Sequence, residues 1–196
     1  MTAPPLLLVQ PAAAGADRPA PVTLEELYDR HANYLYQSLR RLGVPQANLS
    51  DALQDVFVVV HRRLSQFDPS GSAKPWLFVL AMGVARNHRR TLRRKAPERE
   101  HAGIDPDLLG GRFEEPFERA AHAESVDLFY RLLETLDDDK RAVFVLAELE
   151  QLTVPEIAET LSVNLNTAYA RLRAARQKFE VALSRFRAAE RRGKFG

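Results

Sequence analysis

The sequence predicts an all-α protein of two small helical domains joined by a flexible linker. Apolar residues recur at spacings of three and four through most of the chain, which is the period of an amphipathic helix. No segment shows a convincing strand pattern, and proline and glycine breaks interrupt the helical period over residues 96–122. A length of 196 residues with 45% hydrophobic content allows one large core or two small ones.

The composition excludes several kinds of site. There is no cysteine, which rules out a disulfide, a cysteine-bound metal and a thiol redox switch within this chain. The five histidines show no metal-ligand spacing, so neither a metal nor a cofactor is expected. No apolar run reaches the length of a membrane span, and the first residues lack the basic region of a signal peptide. We therefore expect a soluble cytoplasmic protein without membrane insertion.

Charge is strongly segregated although the net value is only +2. Residues 22–95 and 165–196 are basic, with 12 and 9 lysines and arginines against 6 and 2 acidic residues. Residues 96–122 and 123–164 are acidic, with 7 and 10 acidic residues against 3 and 3 basic ones. Two basic blocks on one chain indicate two contacts with a polyanion, although charge alone is equally compatible with solvated helix faces.

The first domain is predicted over residues 22–95. It follows a proline- and alanine-rich tail at 1–21 that we expect to be disordered. The first helix of the domain starts at its beginning and is ended by Gly43. Ser50 is the expected N-cap of the second helix, which runs to about Phe67.

A loop and a third helix complete the predicted first domain. The loop over 67–75 is rich in proline, glycine and serine, and Pro75 is expected to open a helix that ends in a run of arginines. Residues 96–122 form the predicted acidic linker. The second helical domain is expected over 123–188, followed by a short basic tail at 189–196.

The most informative segment of the second domain is a predicted helix-turn-helix. A helix opened by 137–139 precedes it. Thr153 is then an N-cap that Glu156 completes as a capping box, with Pro155 in the permissive first turn. A short polar break at 162–164 leads to a second helix. Its predicted buried face consists of Leu165, Ala168, Leu172, Ala175 and Phe179. A short helix, a tight turn and an arginine-rich second helix have the shape that enters a DNA major groove.

Taken in order, these segments resemble a bacterial sigma factor of the extracytoplasmic function (ECF) group of the sigma-70 family. The resemblance covers 22–95, which is similar to domain σ2, and 123–188, which is similar to domain σ4. Residues 51–57 are similar to the region 2.2 pattern, and 67–90 to regions 2.3 and 2.4. Residues 133–176 resemble region 4 almost position for position. Both halves in this order make the resemblance highly specific.

The resemblance implies that the chain docks on core RNA polymerase, at the β′ clamp helices and the β flap. Asp51, Gln54 and Asp55 share one helix face and are the implied β′ contacts. A solvated face, with an acidic residue favoured near the helix N-terminus, is the alternative. The resemblance also implies an anti-sigma partner, and a linker that threads the polymerase channel. It implies no active site, because the polymerase performs the chemistry.

The resemblance implies that the loop and third helix hold the melted −10 promoter element. The implied contacts are Ser70, Ser72, Lys74, Trp76, Arg86, Asn87, Arg89, Arg90, Arg93 and Arg94. A core position is the alternative for Trp76, and dipole complementation is the alternative for the arginines. Many family members carry asparagine where this chain has Gly83. We hypothesise that Asn87 substitutes for it and that the −10 preference is altered.

The second helix of the helix-turn-helix is the implied reader of the −35 element. The implied contacts are Asn166, Thr167, Tyr169, Ala170, Arg171, Arg173 and Arg176. Among these, Tyr169, Ala170 and Arg173 match base-contacting positions of the family, whereas Arg171 and Arg176 are better candidates for phosphates. Tyr169 replaces a residue that is often basic, so the preferred −35 bases do not carry over.

Two other functions remain open at this point. A stand-alone helix-turn-helix regulator would bind an operator without polymerase, usually as a dimer on a two-fold site. No dedicated dimerisation segment is visible in the sequence, and the residues around 51–94 would then lack a purpose. A helical enzyme with a nucleic-acid site would need paired carboxylates or metal ligands, and none stand out.

Overall fold

A computed structural model of the chain describes residues 22–95 and 116–193, and within these ranges it contains helices and turns. The α-helices are α1 (Leu24–Arg41), α2 (Leu49–Arg63), α3 (Ala73–Lys95), α4 (Pro116–Glu134), α5 (Asp138–Glu148), α6 (Val154–Thr160) and α7 (Leu165–Gly193). We call residues 22–95 the N-terminal half and residues 116–193 the C-terminal half. The predicted all-α fold is confirmed. The predicted tail at 1–21, residues 96–115 of the predicted linker and residues 194–196 of the predicted tail at 189–196 lie outside the described residues, whereas residues 189–193 of that tail belong to α7.

Helix α1 is closed at both ends by local hydrogen bonds. At its start the N–H of Glu26 donates to the Thr23 hydroxyl, and the N–H of Thr23 donates to the Glu26 carboxylate, each at 3.2 Å. At its end Gly43 has a φ of +88°, and the N–H of Val44 donates to the carbonyl of Leu39 at 3.0 Å. Glycine suits this left-handed position because a side chain there would be strained. The predicted stop at Gly43 is confirmed.

The starts of α2 and α3 differ from the sequence expectation. A short 3-10 turn over Gln46–Asn48 leads directly into α2, so Asn48 occupies the N-cap position instead of Ser50. Helix α3 begins at Ala73, two residues before Pro75. Both differences amount to about two residues at a helix start. Neighbouring residues there can each serve as a cap or as part of the first turn, so the sequence defines such a boundary less sharply than the helix itself.

The three helices of the N-terminal half pack around a shared apolar core. Fully buried side chains come from each helix and include Leu35, Leu39, Val56, Val60, Leu77 and Phe78. Burial of a leucine- or phenylalanine-sized side chain stabilises the fold by about 1.5–3 kcal/mol. This core holds α2 and α3 in place, and these two helices carry most of the predicted site residues of the half.

The C-terminal half begins earlier than expected. Helix α4 starts at Pro116 rather than near residue 123, so the last residues of the predicted linker are helical. Proline suits a helix start because its missing N–H would have no partner there. Helix α5 follows Asp137, whose side chain accepts the N–H of Lys140 at 3.0 Å, as the acidic triplet predicted.

The helix-turn-helix is confirmed in α6 and α7. The N–H of Thr153 donates to the Glu156 carboxylate at 2.7 Å, within the predicted capping box. Ala168, Leu172 and Ala175 are buried on α7 and Phe179 is half-buried, as the helical spacing predicted. Leu165 was placed on this buried face, and that was wrong: it is 43% exposed. It is the first residue of α7, where the helix has just left the turn and extends beyond α6.

The two halves pack against each other. Their buried apolar residues form one continuous cluster that includes Leu42 and Val44 from the first half and Val143, Leu146 and Ile157 from the second. Arg141, only 1% exposed, crosses the contact and donates to the carbonyl of Leu42 at 3.1 Å. Arg41 pairs with Glu150 at 2.7 Å beside it.

Candidate nucleic-acid interface

The outward face of α7 presents the residues that the sequence predicted as base contacts. Tyr169 is 53% exposed, and Ala170 and Arg173 are also exposed. The turn before them is fixed locally, because the N–H of Asn166 donates to the Asn164 side chain at 2.8 Å. Asn166 is exposed and Thr167 is half-buried at the same end of the helix. The described structure therefore brings together the predicted −35 residues on one exposed end of one helix.

The two arginines predicted to bind phosphate on α7 are already paired within the chain. The guanidinium of Arg171 donates to Asp139 of α5 at 2.5 Å. Arg176 donates to Glu148 at the end of the same helix at 2.7 Å. These contacts tie α7 to α5, and they point the guanidinium groups toward carboxylates of the C-terminal half.

The loop before α3 holds the predicted −10 residues at the surface. Ser70, Ser72 and Lys74 are exposed. The N–H of Ser70 donates to Asp68 at 2.9 Å, and this bond lowers the pKa of the Asp68 carboxyl below its usual value. This bond from a backbone N–H to an aspartate side chain two residues earlier forms a local turn, which gives the loop a defined conformation.

Trp76 lies at the boundary between the core of the N-terminal half and the surface. It is half-buried, packs against the core of the N-terminal half, and lies 5.0 Å from the Phe67 ring between centroids. A core role is therefore present, and the remaining exposed part lies next to the loop. Tyr34 supports the same end of α3 by donating from its hydroxyl to the Lys74 carbonyl at 3.4 Å. Burial raises the pKa of Tyr34, which keeps that donor protonated.

The basic end of α3 is partly engaged by the other half of the chain. Arg86 pairs with Asp139, and Arg89 pairs with Asp138. Arg90 instead donates to the Asn87 side chain at 3.2 Å, one turn away on the same helix. Arg94 is exposed, and the side chain of Arg93 lies outside the described residues.

Gly83 lies on the exposed side of α3. Nothing lies within 4 Å of the position that a Cβ would take there. Asn87 is also exposed, one turn further along the helix, as the hypothesis of substitution requires. A larger side chain at position 83 would therefore project into open space.

The face of α2 that the sequence predicted as a protein contact is exposed. Asp51 and Gln54 are open to solvent, and Asp55 pairs with His88 of α3 at 2.7 Å while its side chain stays 58% exposed. Next to them, α1 and α2 border a groove of about 740 Å³. Its lining includes Leu24, Tyr28, Tyr36, Leu53, Gln54, Phe57 and Val58. An apolar groove beside polar residues is typical of a protein-docking surface.

Sequence reasoning missed the residues that join the halves. Arg141 reads as a surface residue in an acidic, polar run, yet it is buried and also donates to the Leu136 carbonyl at 3.2 Å. Arg40 is 6% exposed, and its guanidinium lies 4.1 Å from the ring centroid of Tyr130 on α4. No local pattern marks either residue, because their burial depends on the contact between distant segments.

Two further findings concern metal clusters and membrane spans in the described part of the chain. Within residues 22–95 and 116–193, no cluster of three or more histidine or acidic side chains is arranged to hold a metal ion. None of the helices in those ranges is long and apolar enough to cross a membrane. At the predicted DNA contacts, the exposed hydroxyl, amide, guanidinium and phenol groups suit recognition of a polyanion.

Comparison with protein families gives two matches in chain order. Residues 27–95 match the family described as "Sigma-70 region 2", and residues 127–179 match "Sigma-70, region 4". The first match contains the loop and the basic end of α3. The second contains the helix-turn-helix and the outward face of α7.

Related proteins extend the match over most of the chain. The RNA polymerase sigma factor CnrH of Cupriavidus metallidurans is 30% identical over 182 residues, which cover 90% of this chain and 93% of CnrH. The ECF RNA polymerase sigma-E factor of Escherichia coli strain K12 is 26% identical over 142 residues, covering 70% of this chain and 74% of that protein.

Solved structures give a similar picture. CnrH in complex with the cytosolic domain of CnrY has a TM-score of 0.55 and 27% identity, over 82% of this chain and 87% of CnrH. The sigma factor RpoE of Bartonella quintana, in complex with the anti-sigma factor NepR, has a TM-score of 0.64. It is 17% identical, over 82% of this chain and 96% of RpoE, so it bears on the fold alone.

Proposed function

The chain belongs to the ECF group of the sigma-70 family, and we propose that it binds core RNA polymerase and directs transcription from promoters with −35 and −10 elements. In this role the protein supplies recognition and the polymerase supplies catalysis. Its place of action is the cytoplasm, where polymerase and DNA are found.

The observation that carries this proposal is the exposed outward face of α7. A capped helix-turn-helix directs Tyr169, Ala170 and Arg173 to solvent while the opposite face is buried. This is the arrangement in which a recognition helix reads base edges from the major groove. An arginine can bridge two acceptors of guanine, and an alanine can contact a thymine methyl. DNA contacts are also proposed for Asn166 and Thr167 at the helix start. Phosphate contacts are proposed for Arg171 and Arg176, which would have to leave Asp139 and Glu148 to make them.

The N-terminal half is proposed to hold the −10 element. Ser70, Ser72 and Lys74 in the loop are exposed beside the partly buried Trp76. An unstacked base costs a few kcal/mol to extrude, and a pocket repays that through stacking and hydrogen bonds. Phosphate contacts are assigned to the basic end of α3, at Arg86, Arg89, Arg90, Arg93 and Arg94, and Asn87 on the same helix is assigned a base contact. The phosphate contacts make affinity fall steeply with salt.

Core polymerase is proposed to dock on α2. Asp51, Gln54 and Asp55 share an exposed face, and Gln54 also lines the apolar groove between α1 and α2. A polar face beside an apolar groove offers both directional contacts and buried area, as protein interfaces require. The β′ clamp helices are the proposed partner there, and the β flap is the proposed partner of the C-terminal half.

An anti-sigma factor is proposed as a further partner. CnrH, which is similar over most of its length, was solved with the cytosolic domain of CnrY bound. A protein that covers α2 or the outward face of α7 would prevent the contacts proposed above. Coexpression with candidate partners, followed by co-purification, would test this association.

The open position at Gly83 is proposed to change the −10 preference. With no side chain there, a base contact falls to the exposed Asn87 one turn later. We expect Gly83→Asn to alter the preferred −10 sequence in a library of −10 variants transcribed by polymerase with this protein. If the selected −10 sequences are the same for both proteins, this assignment is wrong.

Run-off transcription tests the function as a whole. Core polymerase is combined with fragmented genomic DNA of the source organism, with and without the protein. The proposal predicts new transcripts whose starts share two upstream motifs, separated by about one and a half helical turns of DNA. No responding promoter, together with tight binding of the free protein to a DNA site, would instead indicate an operator-binding regulator.

A further inference from the structure

The predicted DNA-binding arginines of both halves meet the same two carboxylates. Asp138 and Asp139, which we call the acidic pair, are the first residues of α5. Asp138 pairs with Arg89 of α3. Asp139 accepts from Arg86 of α3 on one oxygen and from Arg171 of α7 on the other, the second bond at 2.5 Å. One carboxylate therefore links a proposed −10 contact to a proposed −35 contact.

This cluster differs from an ordinary exposed ion pair. Arg89 and Arg171 have only 15% and 30% of their side chains exposed, so solvent screens them less than a fully exposed pair. The members also share partners, and networks of this kind are worth more than isolated surface pairs. Guanidinium groups recognise carboxylate and phosphate oxygens with the same donors. DNA phosphates and the acidic pair therefore compete for the same atoms.

The surrounding contact holds the halves together but also contains a destabilising element. The apolar cluster and Arg141 join the halves. In contrast, the guanidinium of Arg40 is buried, and neither of its terminal nitrogens has a hydrogen-bond partner among the residues that the structure describes. Its position over the Tyr130 ring offsets only part of the desolvation of a charge. Separation of the halves would return this charge to water, which favours a reversible contact.

We propose that the acidic pair is an internal substitute for DNA phosphate that strengthens the contact between the two halves and masks Arg86, Arg89 and Arg171 until polymerase and promoter displace it. The inference rests on the proposed DNA contacts of these arginines. In the packed state the protein has low affinity for DNA by itself. Release of the acidic pair exposes both sets of arginines at once, because Asp139 belongs to both contacts.

The first test measures the distance between the halves. The chain has no cysteine, so Ser65→Cys and Glu159→Cys, both at exposed positions in different halves, give two specific sites for spin labels. We expect one defined distance in the otherwise unchanged protein, and a broader distribution that includes longer distances after Asp138→Asn with Asp139→Asn. The matched control is Asp29→Asn with Asp127→Asn, which removes the same charge from residues that do not pair with these arginines.

The second test measures DNA affinity without polymerase. A fluorescent duplex of random sequence is sufficient, because phosphate contacts do not depend on sequence. Apparent affinity is reduced by the fraction of molecules in the competent state. We therefore expect the acidic-pair variant to bind about tenfold more tightly than the control variant at low salt. An unchanged label distance, or a DNA affinity no higher than that of the control, overturns the proposal.

These outcomes are separable from the proposed function. Run-off transcription by the unchanged protein with core polymerase tests the sigma-factor role directly. If no promoter responds, that role fails, while the label distances and random-duplex affinities still report on the acidic pair. If promoters respond but the acidic-pair variant behaves as the control does, only the masking inference fails.

Discussion

The two proposed reader helices, α3 and α7, differ in how far the rest of the chain covers their predicted DNA contacts. On α7 the base-reading positions Tyr169 and Arg173 project to solvent. On α3 the arginines Arg86 and Arg89 bind carboxylates of α5. The local helix-turn-helix therefore exposes the base-reading positions of α7, whereas long-range contacts partly cover the arginines of α3. A helix can carry the right residues for DNA and still depend on a distant segment for their availability.

Because the contact between the halves covers the arginines of α3, variants that weaken this contact test the difference between the two helices. Arg141→Ala should have the largest effect, because it removes a buried cation that donates to the carbonyls of Leu42 and Leu136. Each buried carbonyl left without its donor costs about 1–3 kcal/mol. Urea unfolding followed by circular dichroism should detect this loss. The exposed Arg185→Ala on α7 is the control and should change stability by less than about 0.5 kcal/mol.

The fluorescence of the single tryptophan provides a second probe in the same unfolding experiment. Trp76 lies in the N-terminal half, so its fluorescence follows that half, while circular dichroism follows all helices. The two transitions should coincide in the unchanged protein and separate in Arg141→Ala if the contact couples the halves. Coincident transitions in the variant would mean that Arg141 stabilises both halves without coupling them.

Substitution of alanine at two glycines should give the next largest change in stability. Gly43 has a φ of +88°, and a Cβ built there would collide with the Arg141 guanidinium. Gly43→Ala should therefore lower stability by about 1–3 kcal/mol, from backbone strain and the displaced arginine. Gly83→Ala is the matched change in an open helical position and should raise stability by about 0.5–1 kcal/mol. Thermal unfolding of both variants measures the difference, and equal effects would contradict the role assigned to the Arg141 contact.

Much of the fold could be predicted from the sequence, because its signals are local. The capping box of Thr153 and Glu156, the stop at Gly43 and the acidic start of α5 each depend on residues a few positions apart. The start of α4 at Pro116 was missed, because the preceding prolines and glycines obscure the helical period. The exposure of Leu165 was missed, because its spacing fits the buried face although the helix has only begun there.

The candidate site was less predictable from the sequence. Exposure of Tyr169 and Arg173 follows from the helical period once the buried face is known. The pairing of Arg86, Arg89 and Arg171 with the acidic pair does not, because it joins residues more than thirty positions apart. Charge counts place basic and acidic blocks along the chain but do not say which block meets which.

On α7, base contacts and phosphate contacts should separate by mutation. Arg173→Ala should lower transcription from cognate −35 elements, because it removes about 1–3 kcal/mol of discrimination between bases, and it should relax specificity at one position. Arg176→Ala, which removes a phosphate candidate paired with Glu148, should weaken activity evenly across −35 variants and reduce the salt dependence. The two variants are compared by measuring transcription from a library of −35 variants at two salt concentrations. Arg187→Ala, exposed further along α7, is the control. An even loss for Arg173→Ala would remove it from the base contacts.

The smallest effect concerns the cap that positions the helix-turn-helix. The hydroxyl and N–H of Thr153 donate to Glu156 at 2.6 and 2.7 Å and lower the pKa of the Glu156 carboxyl below its ordinary value of 4.5. A carboxyl whose pKa is lowered by folding adds stability above its unfolded pKa, and this stability disappears as the pH falls through the folded value. Glu156→Gln should therefore reduce stability slightly at pH 7 and have less effect near pH 3. Glu159→Gln makes the same charge change on α6 outside the cap. Unfolding midpoints at both pH values distinguish the two variants, and an identical pH dependence would mean that the ionised cap contributes nothing to folding.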